Sequence, residues 1–374
     1  MMSIEKQKEF GGLITRLLQK ENMDRATAKE KFSEVLNNTQ TEMQQGAFLA
    51  ALTAKGETAA EIAGIWEAIY ELDTVKVNPY ISSPLVDNCG TGMDTIKTFN
   101  ISTAASIIAA AAGVKMAKHG ARAITSVCGT IDILEELGVD VECDTTVVKQ
   151  SIEQAGIGIF NGMSPKVHPQ ALGRILSKIS FGTVLNIAAS LANPALPQYG
   201  VRGVYSAELV EPVAKVMREI GYKKALVVHG MDETGKYGMD EASTLGETVI
   251  AELKEDGKIV KYSFSPEDMG IQRTQKHKLQ PLGERKKEAV RLVTLLSKKD
   301  DEARQDIVCL NAALIFYMMG LSSSIREGCI YAKEIIASGS ALNKLKDWVK
   351  EQNRETQKGL AKLKMVLATA GLEG

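Results

Sequence analysis

From residue 84 onward the sequence alternates short apolar strands with helical segments, and this alternation restricts the fold more than any other feature. The strands are predicted at 84–88, 114–117 and 157–160, and the helices at 101–112, 131–137 and 144–155. Gly113, Gly138 and Gly156 follow these helices, as glycines that end helices commonly do. Strands joined through helices form parallel βαβ units. The pattern therefore predicts an α/β domain with a central, mostly parallel sheet.

The first 78 residues predict a small all-helical domain. Capping-box patterns at 41–44 and 58–61 mark two helix starts, and Gly56 marks the end of the first of these helices. A linker at 75–83, which contains Pro79, leads to the first strand.

The second half of the chain is predicted to hold both helices and strands. Helices are expected at 168–179 and 208–220, a buried strand at 225–229, a hairpin at 248–263, mainly helix from 281, and an amphipathic tail at 354–374. The hairpin prediction depends on Asp256-Gly257, a dipeptide that favours a two-residue turn.

Composition and charge argue against several classes of protein. The chain has 374 residues, of which 44% are hydrophobic, and a formal net charge of −1, which does not favour a nucleic-acid-binding protein with a basic groove. Its five cysteines include no C-x-x-C pair, which argues against a disulfide framework or zinc site and favours a cytoplasmic location. The longest apolar runs, 101–113 and 310–321, fall short of the ~20 residues of a membrane span.

A glycine-rich loop, Gly90-Thr91-Gly92-Met93-Asp94, lies between the first strand and the next helix. Ligands of parallel sheets bind at the carboxyl ends of strands, where glycines let the backbone approach an anion and a helix N-terminus offers free N–H groups. Asn100, Ser102 and Thr103 add side-chain donors near this N-terminus, and Thr98 and Ile101 are further candidate substrate-binding residues of the segment. The segment predicts a phosphate cradle, with an ordinary glycine turn as the alternative. It matches neither the P-loop nor the dinucleotide fingerprint.

The segment 118–130 is interpreted as a second loop at the same edge of the sheet. Its candidate ligand groups are the cations Lys118 and Arg122, the hydroxyls of Ser126 and Thr130, and His119 beside Gly120. A surface loop is the alternative. His119 can contact an acceptor or can hydrogen-bond the backbone to shape the turn.

Asp240 and Glu241 are adjacent carboxylates that follow Gly238-Met239. Such a pair can face solvent or cap a helix. The functional interpretation is Mg²⁺ coordination, because Mg²⁺ prefers oxygen ligands and bridges one or two carboxylates to substrate phosphates.

Together these segments resemble the anthranilate phosphoribosyltransferase family and, more distantly, the pyrimidine nucleoside phosphorylases. The resemblance covers about residues 10–345. The segments that carry it are 50–58, 61–64, Gly90–Asp94, Thr98–Thr103, Lys118–Gly120, Asp132–Gly138, Asn193–Ala195 and Met239–Glu241.

The resemblance implies a nucleoside phosphorylase/phosphoribosyltransferase-like fold with two domains. The helical domain comprises 1–78 joined by mid-chain helices at 166–194, and the α/β domain comprises 84–165 and 195–374. Members are usually homodimers joined through the helical domain. The cleft between the domains binds phosphoribosyl pyrophosphate (PRPP), Mg²⁺ and an aromatic acceptor.

The resemblance also implies roles for single residues. It places the sugar-phosphate and pyrophosphate on Gly90, Asp94, Thr98, Asn100, Ser102, Thr103, Lys118 and Thr130, and magnesium on Ser102, Asp240 and Glu241. Lys118 and Asp94 are the expected catalytic residues. Pyrophosphate would leave the ribose through an oxocarbenium-like transition state, with its developing charge stabilised by the metal, Lys118 and helix N–H groups.

The sequence departs from the family mainly on the acceptor side. Ala121 replaces an Asn, and Ala189-Ser190 replaces Gly-Pro. Leu176 and Ser177 stand at the positions aligned with an Arg pair, one of which binds the anthranilate carboxylate in the family. Because serine cannot replace a bidentate guanidinium, these changes predict an aromatic or heteroaromatic acceptor other than anthranilate. On the donor side, Met93 replaces a second loop glycine and is expected to narrow the loop or to force another conformation on it.

Three alternatives stay open at this point. The first is an authentic anthranilate phosphoribosyltransferase of tryptophan biosynthesis, with Arg174 or Arg122 taking the carboxylate. The second is a nucleoside phosphorylase-like enzyme, suggested by Ser126 and 129–132. The third is a non-catalytic nucleic-acid-binding homologue.

Overall fold

The computed structural model describes residues 4–122 and 128–372. The N-terminal part is helical, as the sequence predicts. Its helices are α1 (Ile4–Leu18), α2 (Arg25–Leu36), α3 (Glu42–Lys55) and α4 (Ala59–Leu72).

Both predicted capping boxes begin helices. The Thr41 hydroxyl accepts a hydrogen bond from the backbone N–H of Gln44. At the start of α4, the Thr58 hydroxyl accepts from the N–H of Glu61, whose carboxylate accepts from the N–H of Thr58 at 2.8 Å. These bonds satisfy N–H groups that a helix start leaves without intrahelical partners.

The described residues form one eight-stranded sheet. Its strands are β1 (Leu85–Gly90), β2 (Lys115–Gly120), β3 (Ile157–Asn161), β4 (Tyr199–Gly203), β5 (Lys224–Met231), β6 (Gly238–Met239), β7 (Thr248–Leu253) and β8 (Ile259–Phe264). The order is β3-β2-β1-β4-β5-β7-β8, with β6 paired to β5. From β3 to β5 in this order, each strand pairs in parallel with the next. The remaining pairs, β5–β6, β5–β7 and β7–β8, are antiparallel. The mostly parallel sheet and the hairpin β7–β8 confirm the predicted α/β class.

Helices connect and cover the strands. They are α5 (Ile101–Ala111), α6 (Thr130–Glu136), α7 (Thr145–Gln154), α8 (Leu172–Leu176), α9 (Leu185–Leu191), α10 (Val210–Glu219), α11 (Lys276–Leu279), α12 (Arg285–Leu296), α13 (Glu302–Met319), α14 (Ile325–Ala337), α15 (Ser340–Glu351) and α16 (Thr356–Thr369). In the part of the chain that is described, no helix combines the length and apolar character of a membrane span.

Two large apolar cores lie against the sheet. One contains α5, α13 and residues of the C-terminal helices, among them Trp348. The other joins the apolar residues of α1–α4 to those of 171–192, of α10 and of the strands β5 and β7. The mid-chain helices thus share a core with the N-terminal helices. The domain boundaries at 78, 166 and 194 remain predictions.

Two sequence predictions about local structure are wrong. The second strand does not stop at Ala117 but continues to Gly120, because Lys118, His119 and Gly120 pair in register with β3. The helix predicted at 168–179 forms only at Leu172–Leu176. Pro169 disfavours helical backbone at His168, and the helix ends well before Ile179.

The carboxylate of Asp73 fixes the start of α8. Asp73 is 1% exposed, and its side chain accepts hydrogen bonds from the N–H groups of Gln170, Ala171 and Leu172 at 2.6, 3.0 and 2.7 Å. The end of α4 is thereby tied to the mid-chain segment.

Replacing Asp73 with Ala is expected to lower the free energy of unfolding by about 3 kcal/mol, because three buried N–H groups lose a charged acceptor. Urea denaturation measures the change. The matched control is Glu71→Ala, which removes an exposed ion pair with Lys29 and should cost no more than about 0.5 kcal/mol. Equal, small effects of the two substitutions would contradict this account.

The C-terminal tail belongs to the α/β core. Leu363 and Leu367 of α16 are buried, and a methyl group on Gly138 would lie 2.3 Å from the carbonyl oxygen of Gly359. Asp140 forms an ion pair with Arg354 at 2.6 Å. The tail therefore packs closely against the segment that follows α6.

Candidate active site

Two loops meet beyond the carboxyl ends of the central strands. The first follows β1, which ends at Gly90, and Gly90 pairs with Gly203 at the end of β4. The second begins after β6 with Asp240. This is the edge of the sheet at which parallel α/β folds bind ligands.

Glycines at this edge let Asp240 approach the backbone closely. A methyl group on Gly90 would lie 2.0 Å from Asp240 Oδ2, and one on Gly203 would lie 1.5 Å from the Asp240 carbonyl oxygen. The N–H of Gly92 donates a hydrogen bond of 2.7 Å to Asp240 Oδ2. The glycine loop and the carboxylate pair, which are 148 positions apart in the chain, thus form one site.

Because the resemblance places the pyrophosphate of PRPP on Gly90, replacing Gly90 with Ala is expected to weaken Mg²⁺-dependent PRPP binding at least about tenfold. The methyl group of the alanine would force the Asp240 carboxylate to rotate away from the loop. The stability of the protein should change little, because this clash is relieved by moving a side chain rather than the backbone. Calorimetry measures the affinity. Gly173→Ala, which adds its methyl group in open space, is the control. PRPP affinity unchanged in Gly90→Ala would contradict the assignment.

The site concentrates negative charge. Burial, followed by the charge of Asp240, raises the pKa of Asp94 to about 6. Burial, followed by the charges of Asp240 and Asp94, raises the pKa of Glu241 well above its ordinary value. Lys97 partly offsets this charge through an ion pair with Asp94 at 3.0 Å.

The donor set of this cluster fits a divalent cation. Glu241 Oε2 is buried and has no hydrogen-bond partner within the described residues. In residues 4–122 and 128–372, no three His, Cys, Asp or Glu side chains are close enough to hold a metal by themselves. A cation would therefore take further oxygen ligands from a substrate, which is how Mg²⁺ commonly binds with phosphates.

The N-terminus of α5 lies beside this cluster. Asn100 is its N-cap and donates its side-chain N–H to the carbonyl of Cys128 at 3.2 Å. Thr103 is buried, and its hydroxyl has no hydrogen-bond partner in the described part of the chain. Ile101 is buried and Thr98 is partly exposed. The carbonyl of Ser102 accepts hydrogen bonds from Asn88 and Ser106, so the first turn of α5 is held against β1.

Lys118 lies under the donor site rather than in a loop. Its side chain is 1% exposed, and Nζ donates to the carbonyl of Asn88 and, at 3.1 Å, to the hydroxyl of Ser106. Burial lowers the pKa of Lys118. In this conformation the ammonium braces β1 against α5, and its direct contact with pyrophosphate remains a prediction.

His119 is also buried, and it bonds to protein groups. Its Nδ1 is 3.3 Å from the carbonyl oxygen of Ser190, and its Nε2 is 3.3 Å from Nε2 of His168. Burial lowers the pKa of His119 to about 3. The neutral ring connects β2 to α9 and to the segment before α8, and contact with an acceptor remains a prediction. The neighbouring Gly120 carbonyl accepts from the N–H of Gly162.

Arg122 is occupied by three carboxylates. Its guanidinium forms ion pairs with Asp132 at 3.3 Å, Glu135 at 2.8 Å and Glu142 at 3.0 Å. Binding a substrate phosphate or carboxylate would require some of these contacts to break. Thr130 begins α6 near Gly120, whereas Ser126 lies outside the described residues.

Sequence reasoning missed a buried ion pair beneath the cleft. Arg202 and Asp87 are each 1% exposed, and their side chains meet at 3.3 Å. Arg202 also donates to the hydroxyl of Ser190 at 3.3 Å. An Arg within the apolar strand β4 is the sequence signal that could have revealed the pair. The contact also gives Ser190, at the position of a family proline, a structural role.

The cations near Leu176 and Ser177 face the helical bundle. Arg174 donates to Gln45 Oε1 at 3.0 Å and to the carbonyl of Val35 at 2.9 Å. The neighbouring Lys178 forms an ion pair with Glu42. Neither cation is directed toward the donor loop.

Two family models match the chain. Residues 12–72 match the helical bundle domain of a glycosyl transferase family, and residues 82–342 match the a/b domain of the same family. Together they cover both parts of the fold.

Named relatives resemble nearly the whole chain. Anthranilate phosphoribosyltransferase from Thermoanaerobacter sp. (strain X514) is 38% identical over 343 residues, which is 91% of this chain and 98% of the relative. The enzyme of that name from Methanosarcina barkeri is 38% identical over 350 residues, 92% of each chain.

Solved structures show the same fold. Anthranilate phosphoribosyltransferase from Thermus thermophilus superposes with a TM-score of 0.81 at 32% identity, covering 91% of this chain and 98% of the other. The Saccharomyces cerevisiae enzyme in complex with PRPP and Mg has a TM-score of 0.78 at 25% identity, covering 94% and 99%.

Proposed function

The chain belongs to the anthranilate phosphoribosyltransferase family, and we propose that it transfers the 5-phosphoribosyl group of PRPP to the nitrogen of an aromatic or heteroaromatic amine. It is a pentosyltransferase, and the second product is pyrophosphate. The observation that carries the donor half is the contact of the Gly90–Asp94 loop with Asp240, beside the buried, unsatisfied Glu241.

The donor loop and the N-terminus of α5 bind the phosphates of PRPP. N–H groups in the first turn of a helix lack intrahelical partners and point toward a ligand, where the helix dipole favours negative charge. Thr103 has a buried hydroxyl without a partner in the described structure, so it adds a donor at this turn. Lys118 positions these groups by holding β1 against α5.

Asp240, Glu241 and the Ser102 hydroxyl would hold Mg²⁺, which supplies positive charge to the departing pyrophosphate when it is bound. The carboxylates lie at the end of β6, and Gly92 fixes one of them by its N–H. The Asp240 carboxylate is thus held in place before the donor arrives, which lowers the reorganisation needed in the transition state.

The acceptor is held on the opposite face of the ribose. An aromatic amine or ring nitrogen is already nucleophilic, so the chain needs to position it in line rather than to deprotonate it with a strong base. Arg174 and Lys178 are engaged with the helical bundle, and Ala121 has no polar group. These features support an acceptor other than anthranilate.

Acceptor-dependent release of pyrophosphate tests the proposal. The protein is incubated with PRPP, Mg²⁺ and single aromatic amines or azoles, including anthranilate, and the phosphoribosyl adduct is identified by mass spectrometry. We expect turnover with at least one amine and little with anthranilate. Turnover of anthranilate at about 1 s⁻¹ or faster, an ordinary enzyme rate, would refute the acceptor assignment. Failure of every amine would refute the transfer itself.

A homodimer formed through the helical bundle is part of the proposal. Ile4, Leu18 and Met43 are large apolar side chains that are 73%, 64% and 87% exposed, and they lie on the neighbouring helices α1 and α3. A second copy packed on these helices would remove this apolar surface from water. Sedimentation of the intact protein measures the state. The five free cysteines support a reducing, cytoplasmic location.

A further inference from the structure

Met93 reaches from the donor loop to the mid-chain segment between α8 and α9. Its backbone is in the left-handed region, with φ of 67°. A methyl group on Gly182 would lie 2.1 Å from Met93 Cε and 2.4 Å from Sδ. The end of the Met93 side chain therefore fills the space in front of Gly182, and residue 182 can carry no side chain while Met93 holds this position.

This contact borders the proposed donor site. With the phosphates held by the Gly90–Asp94 loop, the acceptor nitrogen has to attack the ribose in line from the side away from the leaving pyrophosphate, and the space between that loop and the segment 177–184 is one that the acceptor can enter. Met93 is 43% exposed despite its contact with Gly182, and the neighbouring Phe181 is 52% exposed. Both apolar side chains thus remain available to a ligand in the cleft.

The basic side chains near this segment bond to the helical bundle. Arg174 donates to the carbonyl of Val35 in α2 and to Gln45 in α3, and Lys178 forms an ion pair with Glu42 in α3. Arg202, under the cleft, is 1% exposed and paired with Asp87. A carboxylate placed against Met93 and Gly182 would lose water without gaining these cations, which is unfavourable.

We propose that Met93 is a specificity-determining residue, which forms with Gly182 an apolar wall that selects an uncharged aromatic amine over an aminobenzoate. This inference rests on the proposed function. A thioether makes favourable contacts with the edge of an aromatic ring, and it offers a carboxylate no hydrogen-bond donor.

The contact and the selectivity can be measured by NMR without enzyme activity. The intact protein is labelled with ¹³C at the methionine methyl groups, and the Met93 resonance is assigned from its absence in Met93→Leu. Gly182→Ala is expected to shift the Met93 resonance, whereas Gly173→Ala, with its methyl group in open space, should leave it in place.

Aniline and anthranilate are the two probes of selectivity, each titrated with and without PRPP and Mg²⁺. We expect aniline to shift the Met93 resonance and to bind at least about tenfold more tightly than anthranilate. Met93→Gly should reduce this preference to about threefold or less, and Met93→Leu should keep it because it preserves an apolar side chain. Met365→Ala, which removes an exposed methionine of α16, should change nothing.

The outcomes separate the two proposals. Tighter binding of anthranilate, no binding of either amine, or a preference that survives Met93→Gly would overturn the role of Met93. Absence of PRPP binding would overturn the proposed function, whereas loss of the aniline preference with PRPP binding retained would overturn the role of Met93 alone.

Discussion

Asp240→Asn is expected to lower kcat/KM for PRPP by about a hundredfold to a thousandfold, the range seen when one preorganised electrostatic group is removed from an active site. Asparagine can still accept the hydrogen bond that Gly92 donates to the side chain of Asp240. The substitution therefore removes charge from the proposed cation site while keeping the loop anchored. Initial rates measured at several Mg²⁺ concentrations should show the loss as a weaker response to the metal.

Stability distinguishes a functional carboxylate from a structural one. Glu241→Gln is expected to reduce activity similarly without lowering the free energy of unfolding, because burial already disfavours the charged form of Glu241. The matched control is the adjacent carboxylate pair at the turn of the β7–β8 hairpin, Glu255→Gln and Asp256→Asn. Equal activity of the Asp240 variant and these controls would contradict the metal assignment.

Asp87→Ala is expected to lower the free energy of unfolding by about 3–5 kcal/mol, because it leaves the guanidinium of Arg202 buried without its carboxylate. Both side chains are 1% exposed, so solvent cannot replace the lost partner. Urea denaturation measures the change. If the free energy of unfolding depends on urea concentration with the same slope as in the wild-type protein, the substitution has lowered stability without changing the surface that unfolding exposes.

The double variant Asp87→Ala with Arg202→Met tests the cause of this loss. Removing both charges should recover part of the stability, because no buried ion is left unpaired. The control pair is Glu211 and Lys215, which are exposed on α10 at 2.7 Å and whose disruption should cost about 0.5 kcal/mol or less. A loss below about 1 kcal/mol for Asp87→Ala would contradict the account of the buried pair.

Structural features that depend on nearby residues can be predicted from the sequence, whereas features that depend on the pairing of distant segments cannot. Thr58 and Glu61 predict a helix start because a capping box is a contact between residues three positions apart. The sequence places Lys118 and His119 in a loop, because only pairing with Ile159 and Phe160 of β3 extends the strand that far. A strand boundary set by a neighbouring strand has no local signature.

The candidate site is predictable to a similar extent. Gly92 and Asp240 are each identified from the sequence as site residues, and the structure joins them by a hydrogen bond. The occupation of Arg122 by Asp132, Glu135 and Glu142 could not be inferred, because ion pairing depends on the relative placement of strands and helices. The contact of the Met93 side chain with Gly182 could not be inferred either, because it depends on how two segments that are distant in sequence pack together.

Calorimetric titration of PRPP into the intact protein, with Mg²⁺ or with EDTA, tests the donor site most directly. The account predicts saturable binding with Mg²⁺, at least about tenfold weaker binding with EDTA, and the same weakening in Asp240→Asn with Mg²⁺ present. The account would be contradicted if PRPP bound with the same affinity in EDTA and in Asp240→Asn as in the wild-type protein with Mg²⁺. Absence of binding in the wild-type protein would also contradict it.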